Sequence, residues 1–326
     1  MTANIKRGVS LYSYQEEFFL RKMTLEDCVA AAAATGATGI ELLGEQSIVG
    51  FPHVSEAFVE QWQGWMAKYG TEPTCHDMFL DYTRHKGRRL STDEALQSII
   101  RDLKFANRLG FKIMRIIVNT TPELMELAAP YAEQYDVKMG IEVHSPWHIN
   151  SAWMHRHLEV MERTGSKYLG FIPDMGTFIR RLPRVMTDRM VRQGANPEIV
   201  AFVNEQHEQG VLAEYIIAQT VQRTDRPIDR AVAELTRHNI CVNPRSLAPF
   251  MDRIFHIHAK FYEMLPDHTE YSIPYPEIVA VLQQAGYQGY LSSEYEGNRH
   301  IQDVHEVDSV EQVRRQQQMF RQLLGK

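Results

Sequence analysis

A chain of 326 residues, 44% hydrophobic and 23% charged, is long enough for a sizeable core and has the composition of a globular enzyme. Its formal net charge of −6 argues against a protein that grips the phosphate backbone of nucleic acids. No apolar run reaches a membrane-spanning length or forms a signal-peptide core, and three scattered cysteines fit no disulfide or zinc-finger spacing. We therefore expect a cytoplasmic protein that binds neither nucleic acid nor membranes.

The first part of the chain alternates β-rich runs with helical segments. Thr24 and Asp27 form a capping pattern before an alanine-rich helix that Gly36 ends, and Pro122 follows the helix-capping Thr121. The predicted strands here are Gly8–Tyr12, Gly39–Leu43, Glu72–Phe79 and Lys112–Val118. The helices between them are predicted from Thr24, over Ser55–Tyr69, and from Ser91 or Thr92 to Gly110.

The same alternation continues to the end of the chain. Four further strands are predicted at Lys138–His144, Tyr168–Asp174, Arg253–Lys260 and Tyr290–Tyr295. Helices are predicted at Ser151–Thr164 and in a final segment to Leu324. About eight strand–helix units favour a single α/β domain over residues 1–326, folded as a closed (β/α)8 TIM barrel. No strand is followed by GxGxxG, so a nucleotide-binding sheet has no support.

One connection is much longer than the others. Asp174 ends the sixth predicted strand, and His258 lies in the seventh, 84 residues later. Residues 184–238 between them have a polar helical pattern, with a cap at Asn196 and a break at Pro227. We predict a helical insertion between strands 6 and 7, over the barrel mouth, with no core of its own. A lid, a partner-docking surface and a solvated elaboration are the alternatives.

Acidic and imidazole side chains stand at the ends of the last four strands. In a (β/α)8 barrel the chemistry lies where the strands end, so these side chains should meet at one mouth. They are Glu142, Asp174, His258 and Glu294. Three carboxylates close together are costly without a cation, and with one imidazole they suit a divalent metal of Mn²⁺ type. Zn²⁺, Co²⁺ and Mg²⁺ are the alternatives.

Short motifs on these strands carry a family resemblance. GIELL, GIEVH, the strand-ending Asp174, HIHAK and SSEYEG together resemble the xylose-isomerase-like barrels, which include sugar-phosphate isomerases, ketose epimerases and inosose dehydratases. Members bind one catalytic divalent metal through Glu, Asp, His and Glu on the last four strands. The resemblance therefore implies Glu142, Asp174, His258 and Glu294 as the metal ligands.

A narrower branch of that family matches better. Asp174 lacks the family's Asp-x-x-His continuation, and Phe261 replaces the aspartate of His-x-Lys-Asp. RGVSLYSYQ, IEVHSP, DMGTF and the long insertion are instead similar to the catalytic alpha subunit of bacterial C-glycoside deglycosidases. That similarity implies a C–C lyase that acts on 3-oxo-C-glucosides together with a small beta subunit, as a hetero-oligomer. A sugar epimerase or isomerase, an inosose dehydratase and a subunit with a vestigial metal site are the alternatives.

We predict His144, Glu142 and Glu294 as catalytic residues. His144 lies two residues beyond Glu142 on the same strand face, where an imidazole could act as general acid or base near bound substrate; the alternative is a structural histidine. His256 shares a strand face with His258, and Glu296 with Glu294, so both assignments stay open. A further set could position substrate or pair inside the core: Glu41, His76 and Asp77.

Overall fold

The computed structural model describes residues 3–325 and contains one eight-stranded, all-parallel sheet. The strands are β1 (Asn4–Ser10), β2 (Gly39–Leu42), β3 (Glu72–Asp77), β4 (Ile113–Ile116), β5 (Lys138–Val143), β6 (Leu169–Pro173), β7 (Ile257–Phe261) and β8 (Gln288–Tyr295). Their order in the sheet is β6-β5-β4-β3-β2-β1-β8-β7, so each strand lies beside its neighbour in sequence and β8 lies beside β1. The predicted (β/α)8 TIM barrel is confirmed.

The helices of the described residues connect the strands. They are α1 (Gln15–Phe19), α2 (Leu25–Ala34), α3 (Gly44–Ser47), α4 (Glu56–Tyr69), α5 (Thr92–Leu109), α6 (Pro122–Gln134), α7 (Ala152–Thr164), α8 (Arg184–Arg192), α9 (Pro197–Glu208), α10 (Ala213–Arg223), α11 (Pro227–His238), α12 (Tyr275–Gln284) and α13 (Ser309–Leu324). The capping boxes at Thr24 and Ser91 and the first-turn Pro122 begin α2, α5 and α6, as the sequence predicts. Within residues 3–325, no helix has the length and apolarity needed to cross a membrane.

The barrel is least regular where β6 meets β7. These strands are joined by isolated bridges, Phe171 to Ile254 and Asp174 to His258, rather than by a continuous ladder. The Phe255 amide also donates to the Phe171 carbonyl at 3.1 Å. Gly170 makes this approach possible, because a Cβ there would lie 2.4 Å from the Arg253 carbonyl oxygen. This contact between β6 and β7, the β6–β7 seam, therefore requires glycine at position 170.

The insertion has a small core of its own, so the expectation that it has none is wrong. Apolar side chains of α9, α10 and α11, with Leu182 and Ala195, pack into a cluster separate from the barrel core. Its most deeply buried members include Val203, Ile216 and Val232. Several helices together enclose enough apolar surface to exclude water from this cluster.

The insertion contacts loops that follow three barrel strands. Arg184 pairs with Glu263 after β7, and Arg192 pairs with Asp303 after β8 at 2.8 Å. Ser145, just after β5, donates a hydrogen bond to the carbonyl of His238. The insertion is therefore attached at the end of the barrel where the strands finish.

Some strand boundaries differ from those predicted. Leu11 and Tyr12, predicted to end the first strand, belong instead to a 3₁₀ turn over Leu11–Tyr14, and β1 ends at Ser10. A 3₁₀ segment, Pro244–Arg253, precedes β7, which begins only at Ile257. His256 therefore lies just before β7 rather than within it.

Gly170→Ala is expected to destabilise the protein by about 1–3 kcal/mol, the usual cost of forcing extra atoms into a packed site. The reason is the close Arg253 carbonyl, which is backbone and cannot rotate away. Gly64→Ala is the matched control, since Gly64 is exposed in α4 with nothing within 4 Å of an added Cβ, and alanine there should stabilise the helix by about 0.5–1 kcal/mol. Chemical denaturation of both variants checks this. Equal stabilities would contradict the tight β6–β7 seam.

Candidate metal and catalytic site

The four predicted metal ligands lie in or directly after four consecutive strands, three of them at the carboxyl end and His258 near the start of its strand. Glu142 and Glu294 are the next-to-last residues of β5 and β8, Asp174 follows β6, and His258 is the second residue of β7. The bridge between Asp174 and His258 sets these two at the same level of the barrel. All four are buried, with exposed fractions of 7% or less. The structure therefore places them together inside the mouth.

The ring of His258 is the centre of this group. Its Nδ1 lies 3.2 Å from Glu142 Oε1 and 3.7 Å from Glu294 Oε1. Glu142, Asp174 and His258 each offer a ligand atom, and these atoms lie within 4.8 Å of one another. Such spacing allows one small cation to contact all of them.

Carboxylate oxygen atoms that face the space between these residues can still accept hydrogen bonds or bind a cation. Asp174 Oδ1 accepts the Gly176 amide at 2.6 Å, which directs Oδ2 into the barrel. Glu294 Oε2 is buried and accepts no hydrogen bond. Burial raises the pKa of Glu294 well above its usual value, although His258 and Lys260 oppose the shift. A buried, unsatisfied carboxylate next to two others fits a divalent cation, which would stabilise its charge. That these residues bind one stays a prediction.

Lys260 joins the site although it was not among the predicted site residues. Its ammonium lies 2.6 Å from Asp174 Oδ2, 3.4 Å from Glu296 Oε1 and 4.0 Å from Glu294 Oε2. Burial favours the neutral amine, but these carboxylates outweigh it and raise the pKa of Lys260 above its usual value. The signal was present in HIHAK, where the lysine lies two residues after His258 and shares its strand face.

Arg115, on β4, was also missed. It is buried, with Nε 3.3 Å from Asp77 Oδ1 and one terminal nitrogen 3.9 Å from Glu142 Oε2. Burial alone would raise the pKa of Asp77, but the guanidinium lowers it to about 2. Arg115 likewise overcomes burial and holds the pKa of Glu142 well below its usual value. The signal was an arginine inside the otherwise apolar strand run KIMRIIV.

His144 lies at the edge of the site, partly exposed. Its Nδ1 is 2.7 Å from the Ser145 carbonyl, which can only accept, so Nδ1 carries the hydrogen and Nε2 the lone pair of the neutral ring. Nε2 faces inward, 3.0 Å from Lys260 Nζ and 3.7 Å from Asp174 Oδ2. The side chain therefore presents a basic nitrogen to the mouth.

The structure distinguishes His258 from His256 and Glu294 from Glu296 as candidate metal ligands. His258 faces Glu142 and Glu294, whereas His256 Nε2 contacts Glu41 Oε2 at 2.5 Å, deeper in the barrel. Glu296 pairs with Lys260 and is the more exposed of the two glutamates. The geometry thus favours His258 and Glu294 for the cation.

His76 and Asp77, adjacent on β3, point in opposite directions. Asp77 faces the barrel interior, where it pairs with Arg115. His76 instead pairs with Asp102 of α5 at 2.9 Å, outside the barrel. Strand alternation separates the two neighbours, so only Asp77 belongs to the site region.

A cavity of about 290 Å³ opens above these residues. Glu142, His144, Lys260 and Glu294 line its floor and side, with Tyr12 and Phe79 on its walls. A larger cavity of about 510 Å³ shares its Leu43, Gln46, Phe79 and Ile117 walls. The site thus has room for a small polar molecule, with further space beside it.

Several known proteins are similar to this chain over most of its length. A family model described as xylose isomerase-like TIM barrel matches residues 29–323. The C-glycoside deglycosidase alpha subunit of Arthrobacter globiformis is 30% identical over 333 residues, which cover 99% of this chain and 93% of that protein. The 3'-dehydrocarminate deglycosidase alpha subunit of a Microbacterium species is 31% identical over 305 residues, which cover 89% of this chain and 88% of that protein.

Among solved structures, that of the IOLI protein with a bound zinc atom superimposes with a TM-score of 0.58 at 11% identity, over 98% of both chains. At that identity the likeness establishes a shared fold. The chain therefore belongs to the xylose isomerase-like TIM barrel family and, within it, is related over nearly its whole length to the alpha subunits of C-glycoside deglycosidases.

Proposed function

We propose that the chain is the catalytic alpha subunit of a metal-dependent C-glycoside deglycosidase, a lyase that cleaves the C–C glycosidic bond of 3-oxo-C-glucosides. The observation that carries this is the convergence of three buried carboxylates and the His258 imidazole beside the basic nitrogen of His144. The names of relatives at about 30% identity support the reaction class.

Glu142, Asp174, His258 and Glu294 would hold one divalent cation. Three oxygen donors and one nitrogen donor suit Mn²⁺, with Zn²⁺, Co²⁺ and Mg²⁺ as alternatives, and zinc is bound by one protein of the same fold. When bound, the cation supplies Lewis-acid polarisation of the sugar's oxygen atoms. Glu142 and Glu294 contribute to catalysis as ligands.

His144 is the proposed base. The ketone at C3 of the substrate acidifies the C2–H bond, and Nε2 of His144 takes this proton. The electron pair left on C2 then forms a C1=C2 double bond as the bond from C1 to the aglycone breaks, and the aglycone carbon takes up a proton. The products are an enone sugar and the free aglycone, so no water is consumed and no redox partner is needed.

Lys260 and Arg115 offset the negative charge of the carboxylates in the site. Lys260 lies within 4.0 Å of carboxylate oxygens on Asp174, Glu294 and Glu296, and Arg115 stabilises the ionised forms of Asp77 and Glu142. Lys260 also donates to Nε2 of His144, which holds the imidazole toward the mouth, and the ammonium would have to turn to the neighbouring carboxylates before Nε2 takes the C2 proton. Both cations therefore preorganise the groups that act on the substrate.

The relatives are named alpha subunits, which implies a second subunit in the family. We infer that this chain works in a hetero-oligomer with a small beta subunit, on a small-molecule C-glycoside.

The purified chain, together with its beta subunit, is expected to release free aglycone from a 3-oxo-C-glucoside. EDTA should abolish the release, and added Mn²⁺ should restore it, because the cation is needed to stabilise charge on the sugar oxygens. Chromatography of the aglycone measures this. No release with the beta subunit present would contradict the proposal, and solvent deuterium in a ketose with formation of its epimer would identify an epimerase instead.

His144→Ala is expected to lower kcat by about 10²–10⁴-fold, the usual contribution of a positioned general base. Binding of Mn²⁺ should be retained, because His144 is not among the proposed ligands. His155→Ala is the matched control, an exposed histidine on α7 that should leave kcat unchanged. Steady-state kinetics and metal analysis on the same preparations check both. Full activity of His144→Ala would exclude it as the base.

A further inference from the structure

We infer that Glu41 is a positioning residue that keeps a hydrogen on Nε2 of His258, so that the lone pair of Nδ1 faces the proposed cation. This inference rests on the metal centre of the proposed function and adds a residue from outside the four ligands.

The two nitrogens of the buried His258 ring face different carboxylates. Nδ1 faces Glu142 and Glu294, at 3.2 and 3.7 Å. Nε2 faces Glu41 Oε1 and Asp77 Oδ1, each at 3.6 Å. A cation binds the neutral form of an imidazole, which has one donor and one acceptor, and ionised carboxylates can only accept. With the proposed cation on the side of Glu142 and Glu294, Nδ1 must offer its lone pair to the cation, so the hydrogen lies on Nε2, which faces Glu41 and Asp77.

Glu41 Oε1 and Asp77 Oδ1 lie equally far from Nε2, but only the Glu41 oxygen lacks another partner. Asp77 Oδ1 already lies 3.3 Å from the Arg115 guanidinium. Glu41 Oε1 is fully buried without a hydrogen-bond partner, and so is Nε2 of His258. Two unsatisfied buried atoms that face each other are costly, and a small shift from 3.6 Å into hydrogen-bond range would satisfy both.

The second oxygen of Glu41 fixes the direction of this carboxylate. Oε2 contacts Nε2 of the buried His256 at 2.5 Å, so the carboxylate lies between two imidazoles. It can accept a hydrogen from both rings because each oxygen serves one of them. Outer carboxylates of this kind fix the tautomer and orientation of a metal-binding histidine, and their loss typically lowers metal affinity 10–100-fold.

Glu41→Gln tests the inference with almost no change in shape. A glutamine has a single oxygen and an NH₂ group, so it cannot accept from both imidazoles, and its NH₂ favours the His258 tautomer with hydrogen on Nδ1. We expect calorimetry with Mn²⁺ to give a Kd about 10–100-fold higher than in wild type. The visible absorption of bound Co²⁺ should also change, since it reports the nitrogen ligand.

Asp102→Asn is the matched control. The Asp102–His76 pair is a buried carboxylate–imidazole contact of the same kind, at 2.9 Å, outside the barrel. Its loss should lower thermal stability and leave the Kd for Mn²⁺ unchanged. An equal loss of Mn²⁺ affinity in both variants would mean that general destabilisation is responsible and would overturn the inference.

A measurement on the wild-type chain keeps the inference testable if Glu41→Gln does not fold. With Zn²⁺ and ¹⁵N-labelled histidine, the NMR spectrum should show His258 with Nδ1 on the metal and hydrogen on Nε2; zinc on Nε2 would overturn the inference. A wild-type Kd retained in folded Glu41→Gln would overturn it while leaving the metal centre intact. A wild-type chain that binds neither Mn²⁺ nor Zn²⁺ would overturn both the metal centre and the inference.

Discussion

The structure depends on how it accommodates negative charge inside the barrel. Several carboxylates lie buried at or below the mouth: Glu41, Asp77, Glu142, Asp174 and Glu294. Charges so close in a low dielectric repel strongly unless cations offset them. Arg115 does so on β4 and Lys260 on β7, and Glu41 and Glu294 raise the pKa of the buried His258 well above its usual value, against the effect of burial. A divalent cation would neutralise the negative charge that remains.

The barrel provides the constraint that makes this arrangement possible. Parallel strands in register bring residues from distant parts of the chain to one level, as with Asp174 beside His258 and Lys260 beside Glu294. The narrow β6–β7 seam, which Gly170 permits, brings Asp174 within reach of Lys260. The insertion emerges at this seam and packs around its own small core. It contacts the loops that follow β5, β7 and β8.

The polar residues near the strand ends could be predicted from the sequence because they interrupt apolar runs. Glu142, Asp174, His258 and Glu294 could thus be found together, although each alone is ambiguous. Arg115 and Lys260 each stand inside a predicted strand, but the sequence alone did not assign them to the site, because a lone cation in a strand is equally suited to solvent and their partners lie far away in sequence. His256 was placed in β7 because its run is β-rich, but the preceding 3₁₀ segment delays the start of the strand. The core of the insertion depends on helix-to-helix packing that periodicity does not describe.

The central claim is that one divalent cation is held by Glu142 of β5, Asp174 after β6, His258 of β7 and Glu294 of β8. Anomalous diffraction at the manganese edge, from crystals grown with Mn²⁺, tests it most directly. The account predicts one peak within bonding distance of Glu142, Asp174, Glu294 and Nδ1 of His258. A peak bound instead by Glu41, Cys75 and Asp77, which also lie close together, or no peak at all would contradict it.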